Sequence, residues 1–420
     1  MLDLKLIREN PDLVKAGMAK KHCDADIDKI VELDESRREI IREAESLKAK
    51  RNVASAEIAK KKKAGENADS EIAEMRAVGE QIAALDGKLL GLEQELQEKM
   101  SWIPNIPHET TPEGKDENDK VLIREWGEIP KQDFKVKPHW EIGPELGILD
   151  LEAAARVSGS GFYLLKGMGA KLQRALINFM LDLHSADGFT ECVTPYMVKS
   201  HSMYGTGQLP KMADDMYKTS DDLWLIPTAE VPVTNMYRDQ IIDGGELPLS
   251  LVSYSACFRR ESGAAGKDTR GMIRVHQFDK VEMVKIVRPE ESYNVLEELV
   301  KQAEKVLQQL KIPYRVCLLA AGDISFAAAK CYDLELWSAG VERYLEISSV
   351  SNFEDFQARR INCRYRDEDK KVRYVHTLNG SGLALARLIP AILENYQNPD
   401  GTVTIPEVLR PYMGGAARIK

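Results

Sequence analysis

The sequence predicts an α+β protein in two parts. Residues 1–100 read as an antiparallel helical coiled-coil hairpin, residues 101–120 as a linker, and residues 121–420 as a domain on a largely antiparallel β-sheet flanked by helices. Three observations carry this. Residues 27–100 contain no proline and repeat apolar positions at alternating steps of three and four. A proline-bearing stretch then breaks that pattern. Beyond it, short β-rich runs outnumber helices and few are separated by crossover helices, which favours antiparallel pairing.

The first seam runs Ile30, Leu33, Arg37, Ile40, Ala44, Leu47, Arg51, Ala54, Ile58, and the second Met75, Val78, Ile82, Leu85, Leu89, Leu92, Leu96. A repeat of 3.5 residues is that of helices packed as a coiled coil. The small polar residues from Lys63 to Ser70 suit a turn between them. Two helices of about 33 residues would then span roughly 50 Å at ~1.5 Å per residue. On pattern alone this is equally a dimerisation coiled coil or a plain helical domain. Charge adds a further distinction. From Arg37 to Lys63 ten basic residues face four acidic ones, whereas Glu66–Glu98 carries nine acidic and two basic. Attraction between the helices accounts for part of this, and the run Lys60–Lys63 finds no partner in sequence, so it suits a phosphate backbone.

After the linker, with Pro104, Pro107 and the Pro112-Glu113-Gly114 turn, a helix is expected near Leu172–Ala186. Strands are expected at Leu223–Ile226, Leu251–Phe258, Met272–Val287, Glu335–Trp337 and Tyr344–Ile347, with helices near Pro289–Leu310 and Ala384–Gln397. The 420 residues hold 43% hydrophobic and 7% aromatic side chains, enough for a globular core, and a net charge of −9. That balance argues against a general nucleic-acid coat or a polybasic membrane binder. No stretch approaches the ~20 apolar residues a membrane helix requires. The first residues lack a signal-peptide core. Six scattered cysteines form no CxxC pair, so neither a zinc cage nor a disulfide framework is expected and a reducing cytoplasm fits.

Familiar nucleotide signatures are missing. There is no P-loop and no HExxH, and Ser158-Gly159-Ser160-Gly161 lacks the third glycine of a dinucleotide fingerprint. The densest polar segment is Cys257-Phe258-Arg259-Arg260-Glu261, a ten-residue loop, and Met272 to Glu282. It reads as a hairpin with Arg259 and Glu261 on one strand face, and Arg274, His276, Phe278, Lys280 and Glu282 alternating along the other strand. Such a face is a floor for an anionic planar ligand, with Arg as a phosphate fork and Phe as a stacking surface. An exposed charged hairpin is the competing reading. The segment from Leu378 to Arg387 is a glycine-rich strand-to-helix join, with Arg387 about two turns into an apolar stretch, where it needs an anion or a structural salt bridge.

These segments carry a resemblance. Gly188 to Pro195 resembles motif 1 of the class II aminoacyl-tRNA synthetases, Phe258-Arg259-Arg260-Glu261 motif 2, and Gly380 to Arg387 motif 3. Within that class the chain is most similar to the bacterial-type seryl-tRNA synthetase family. Supporting stretches include Thr228-Ala229-Glu230-Val231-Pro232, His276-Gln277-Phe278, Glu346-Ile347-Ser348-Ser349, Asp355 to Arg360 and Pro406 to Met413. The resemblance spans essentially the whole chain.

It implies a class II catalytic domain that joins serine to ATP as seryl-adenylate and passes the acyl group to tRNA. Catalysis would rest on Arg259, Arg387 and Glu282. ATP would meet Arg259, Arg260, Glu261, Arg274, Phe278, Glu346, Ile347, Ser348, Ser349 and Arg387, with Glu346 and Ser349 holding Mg²⁺. Serine would meet Thr228, Ala229, Glu230, Arg259, Glu282, Asn379 and Ser381. Contacts to tRNA are expected from Arg37, Arg38, Arg42, Lys48, Lys60, Lys61, Lys62 and Lys63 of the arm and from Lys267 and Arg270 of the loop. A homodimer is implied through motif 1. Ala386 and Arg260 depart from residues common in the family, which bears on fine geometry. The rival readings are a paralogue delivering seryl-adenylate to a carrier or small molecule, and a non-catalytic RNA-binding scaffold.

Overall fold

The computed structural model describes residues 1–262 and 270–420, so the expectation placed on Lys267 lies outside the described residues. The chain divides into two compact units, Met1–Ala19 with Cys23–Pro104, and Lys20–His22 with Asn105–Lys420.

In the first unit two short helices precede α1 (Ile27–Ala64) and α2 (Asp69–Ser101). Asp26 caps α1 by accepting the Lys29 N–H, and Gly65 ends it at φ +77°, where a side chain would be strained. The helices pack along the expected seams: Ile30, Leu33, Ala44, Val78, Ile82, Leu85 and Leu96 are buried. Ion pairs stitch the basic helix to the acidic one, Arg37 to Glu93, Lys48 to Asp86, Lys50 to Glu74 and Lys61 to Glu71. Lys61 therefore has a partner across the turn, which corrects the reading of Lys60–Lys63 as an unpartnered run.

In the second unit eight strands form one sheet: β1 (Val121–Trp126), β2 (Thr190–Glu191), β3 (Leu249–Phe258), β4 (Gln277–Val287), β5 (Tyr314–Leu318), β6 (Lys330–Ser338), β7 (Arg343–Asn352) and β8 (His376–Ala384). Their order is β1-β5-β6-β7-β8-β4-β3-β2, and every pair is antiparallel except β2 with β3. Helices α3 (Gly167–Ala186), α4 (Ser292–Gln309) and α5 (Leu385–Asn395) cover one face. Leu172, Leu176 and Met180 of α3, Leu296 and Leu299 of α4, and Leu388 and Ile389 of α5 bury against Val281, Met283, Val350 and Leu378. Because strand residues alternate, Phe278, Lys280 and Glu282 of β4 and Asn379 and Ser381 of β8 point to the other face.

One expected boundary moves and two side-chain placements change, each for a traceable reason. β3 ends at Phe258, since the Arg260 N–H donates to Asp215 O at 2.8 Å and Glu261 turns to φ +50°. Arg259 and Glu261 thus leave the strand instead of sharing its face. β4 begins at Gln277, not Met272, because the Met272 N–H goes to His139 and the His276 N–H to Gly161 O. Finally, α5 starts at Leu385, next to the expected Ala384, so Arg387, about two turns into the apolar stretch, lies in the first turn of the helix itself.

Candidate active site

The inward face of β4, β8 and β7 floors a cavity of about 330 Å³. Among the predicted residues, Thr228, Glu230, Arg259, Glu261, Arg274, Phe278, Glu346, Ile347, Ser348, Ser349, Asn379, Ser381 and Arg387 line it. Three do not. Ala229 is wholly buried in the core, Arg260 points its exposed side chain elsewhere, and Glu282 lies beneath the floor at 0% exposure. Arg270 stacks on Trp140 at 4.6 Å. The predicted arm residues belong to the other unit.

Three guanidiniums line the cavity, two of them beside carboxylates that also line it. Arg259 lies 5.1 Å over the Phe278 ring. Arg274 Nη1 reaches Glu261 Oε2 at 3.2 Å, which returns Glu261 to the cavity after it leaves the strand. Arg387 donates to the Glu346 carbonyl and stands 3.5 Å from its carboxylate. So the anion that partners Arg387 is itself a site residue. Glu346 and Ser349 are three apart, yet face the same way, opposite Glu335 and Asp333. The register of β7 on β6 slips between Glu346 and Ser348, a bulge that re-aims the strand. Desolvation opposes ionisation of Glu346, whose side chain is nonetheless 50% exposed, but the Arg387, Arg259 and Arg274 guanidiniums outweigh it and hold the carboxyl below its usual range.

Glu230 on the cavity wall and Glu282 beneath the floor belong to a closely hydrogen-bonded network. Asn379 Nδ2 donates to Glu230 Oε2 at 3.1 Å and to Glu282 Oε1 at 3.0 Å, tying the two carboxylates together. Ser381 Oγ donates to Glu282 Oε2 at 3.3 Å. This follows from register, since Ser381 sits opposite Glu282. Gln357 Nε2 donates to Glu230 Oε1 at 2.6 Å, and Thr377 in turn fixes Gln357. Burial and the nearby Glu282 charge push the Glu230 carboxyl up to about 7, against the pull of Gln357, Lys280 and Arg259.

Sequence reasoning missed two members. Lys280 bridges Glu282 and Thr228, and its place between Phe278 and Glu282 in the alternation was the signal. Gln357 stood within the Asp355–Arg360 stretch, but nothing in its spacing marked it as a partner of Glu230. Among the described residues, no group of three or more His, Cys, Asp and Glu side chains stands together to hold a metal.

An antiparallel sheet with one parallel edge strand, carrying Arg259 after one strand and Arg387 at the head of a helix, defines a class II aminoacyl-tRNA synthetase core. Residues 214–396 match the tRNA synthetase class II core domain (G, H, P, S and T), and residues 1–107 the seryl-tRNA synthetase N-terminal domain. The chain is 55% identical over 415 residues to a serine–tRNA ligase of Caldicellulosiruptor bescii, covering 99% of both chains. It is 56% identical over 424 residues to one of Bacillus pumilus, covering 100% of both. A crystal structure of seryl-tRNA synthetase from Pyrococcus horikoshii complexed with ATP superposes with a TM-score of 0.93 at 42% identity, covering 100% of this chain and 99% of that one. The chain belongs to the seryl-tRNA synthetase family.

Proposed function

We propose that this protein is a serine–tRNA ligase: it joins L-serine to ATP as seryl-adenylate and transfers the seryl group to the 3′-terminal adenosine of tRNA(Ser), and of tRNA(Sec) where present. The observation that carries this is one cavity lined by three guanidiniums, Arg259, Arg274 and Arg387, and by Glu230, which is tied through Asn379 to the Glu282 carboxylate beneath the floor. In the first step a serine carboxylate oxygen attacks the α-phosphorus and the bond to pyrophosphate breaks. In the second, an adenosine hydroxyl attacks the acyl carbon and AMP leaves. Neither step needs a protein nucleophile, so positioning and charge neutralisation do the work.

In this reading Arg259 holds the α-phosphate and the serine carboxylate, and Arg274 adds a phosphate contact. Phe278 and Arg387 take the two faces of adenine, Arg387 also reaching the γ-phosphate, and Glu261 meets the adenine end. Ile347 and Ser348 complete the ATP surroundings, while the Arg260 side chain, expected among them, points away from the cavity. Thr228 and Glu230 receive the serine ammonium, Ala229 between them being buried off the cavity, and Glu282, through Asn379 and Ser381, the hydroxyl. Glu346 and Ser349 supply hard oxygen donors on one face, with Glu346 held ionised, which fits Mg²⁺. When bound, the ion neutralises phosphate charge.

The arm would take tRNA, through its long variable arm and acceptor stem, using Arg38, Arg42, Lys60, Lys62 and Lys63. Arg37, Lys48 and Lys61 are already engaged with Glu93, Asp86 and Glu71. Lys267 and Arg270 would serve the acceptor end. Homodimerisation through Gly188–Pro195 and a cytoplasmic setting, in keeping with six free cysteines, complete the proposal. The test is ATP–pyrophosphate exchange with each of the twenty amino acids, followed by tRNA charging. Exchange with serine alone is expected, and exchange with none would overturn the reading.

A further inference from the structure

A buried polar cluster with no role in the reaction as described lies outside the cavity lining. His139 opens the short helix His139–Glu145 and is 1% exposed, and Glu394 near the end of α5 is 0% exposed. His139 Nδ1 stands 2.8 Å from Glu394 Oε1, and the His139 backbone N–H donates to the same oxygen at 3.0 Å. The other oxygen accepts the Gly340 N–H at 3.1 Å and the Ser338 hydroxyl. A carboxylate that accepts from all sides makes Nδ1 the protonated nitrogen and leaves Nε2 its lone pair. That lone pair takes the Met272 N–H at 2.9 Å.

The approach is close by construction. Gly271 sits at φ +65°, and a Cβ there would fall 2.1 Å from His139 Nε2, so glycine alone lets the chain pass the ring. Immediately beyond Met272, the Ile273 carbonyl accepts from Arg387 Nε at 3.5 Å and Arg274 meets Glu261. Arg387 lies in the first turn of α5 and Glu394 in its last. The helix therefore grips the limb Met272–Arg274 at both ends, through Arg387 directly and through Glu394 by way of His139.

We propose that His139, oriented by Glu394, is a positioning residue: it clamps the Met272–Arg274 limb to α5 so that Arg274 and Arg387 meet the ATP phosphates as one unit. This rests on the reading of those two arginines as nucleotide contacts. Neither His139 nor Glu394 lines the cavity, so an effect on ATP would have to pass through the limb.

Two substitutions separate the clamp from simple core packing. In His139→Asn the amide can keep the bond to Glu394 but ends short of Met272. In His139→Gln an acceptor oxygen can reach Met272 while the Glu394 geometry is lost. Serine-dependent ATP–pyrophosphate exchange would be measured against ATP and serine separately. The clamp predicts that His139→Asn raises the ATP KM about tenfold with the serine KM within about twofold, and that His139→Gln recovers most of the loss. Gly271→Ala, which pushes the ring away from the other side, should show the same split and decides the matter if His139→Asn fails to fold. A Gln variant worse than the Asn variant, or an unmoved ATP KM in folded protein, overturns the clamp alone. Absence of exchange in the unaltered chain overturns the underlying reading and the clamp with it.

Discussion

Lys280 Nζ lies 2.5 Å from Glu282 Oε2 and 2.9 Å from Thr228 Oγ1, with Lys280 6% and Glu282 0% exposed. This ammonium is the positive charge nearest to Glu282 and a weaker influence on Glu230, which lie linked through Asn379. Without it, the two carboxylates would keep amide and hydroxyl donors, and Glu230 the weaker pull of Arg259, but Glu282 would lose its ion-pair partner. Removing one partner of a buried pair costs about 3–5 kcal/mol because the other charge is left uncompensated. We expect Lys280→Met to lower the melting temperature and raise the serine KM. Adding Glu282→Gln should restore most of the stability but not serine activation. A double variant no more stable than the single one, in thermal melts, would contradict the pairing.

Glu230 gives the site a pH dependence whose sign can be worked out. Its carboxyl is pushed from an ordinary 4.5 up to about 7, chiefly by burial and next by the Glu282 charge. The stability this group contributes is therefore full below the ordinary value and is lost as pH rises through about 7. Serine binding runs the other way, since the substrate ammonium wants an ionised partner. Between about pH 6 and about pH 8 the serine KM should fall about tenfold, and Glu230→Gln should flatten that profile. A wild-type serine KM indifferent to pH over that range would remove Glu230 from the ammonium site.

Most of this architecture is visible in the chain, and the exceptions share a cause. The arm seams and the inward alternation of Phe278, Lys280 and Glu282 depend on local periodicity, so they can be read directly. What could not be read are the places where a backbone N–H finds a partner far along the chain. Arg260 bonds to Asp215, ending β3, and Met272 bonds to His139, delaying β4. The bulge that brings Glu346 and Ser349 to one face has no signature in spacing, because three residues apart on a regular strand means opposite faces. Lys280 was legible as an alternating residue but not as the counter-ion of its neighbour two positions on. Lys61 likewise found Glu71 only once the hairpin closed.

The arm can be tested by charge. Lys60, Lys62 and Lys63 are exposed, and among the described residues no ion pair engages them, while Lys61 is tied to Glu71. Replacing Lys60, Lys62 and Lys63 with Gln should weaken tRNA binding and reduce the salt slope by about one unit for each phosphate no longer neutralised. Lys61→Gln should change both far less. Filter binding across a salt series reports the two quantities together, and equal effects from Lys61 would contradict the division. Serine-dependent pyrophosphate exchange should be untouched in all four variants.

The central claim is that the buried carboxylate of Glu282 reads the serine hydroxyl, acting through the Asn379 and Ser381 side chains that separate it from the cavity. A site built to bond a substrate hydroxyl discriminates strongly against an analogue lacking it, because its own polar groups are then left unpaired. The direct measurement is pyrophosphate exchange by Glu282→Ala with serine and ATP varied in turn. The account predicts that kcat/KM for serine falls about 10³-fold or more while the ATP KM moves less than about threefold. Equal losses toward serine and ATP would show that Glu282 only supports the sheet and would contradict the claim.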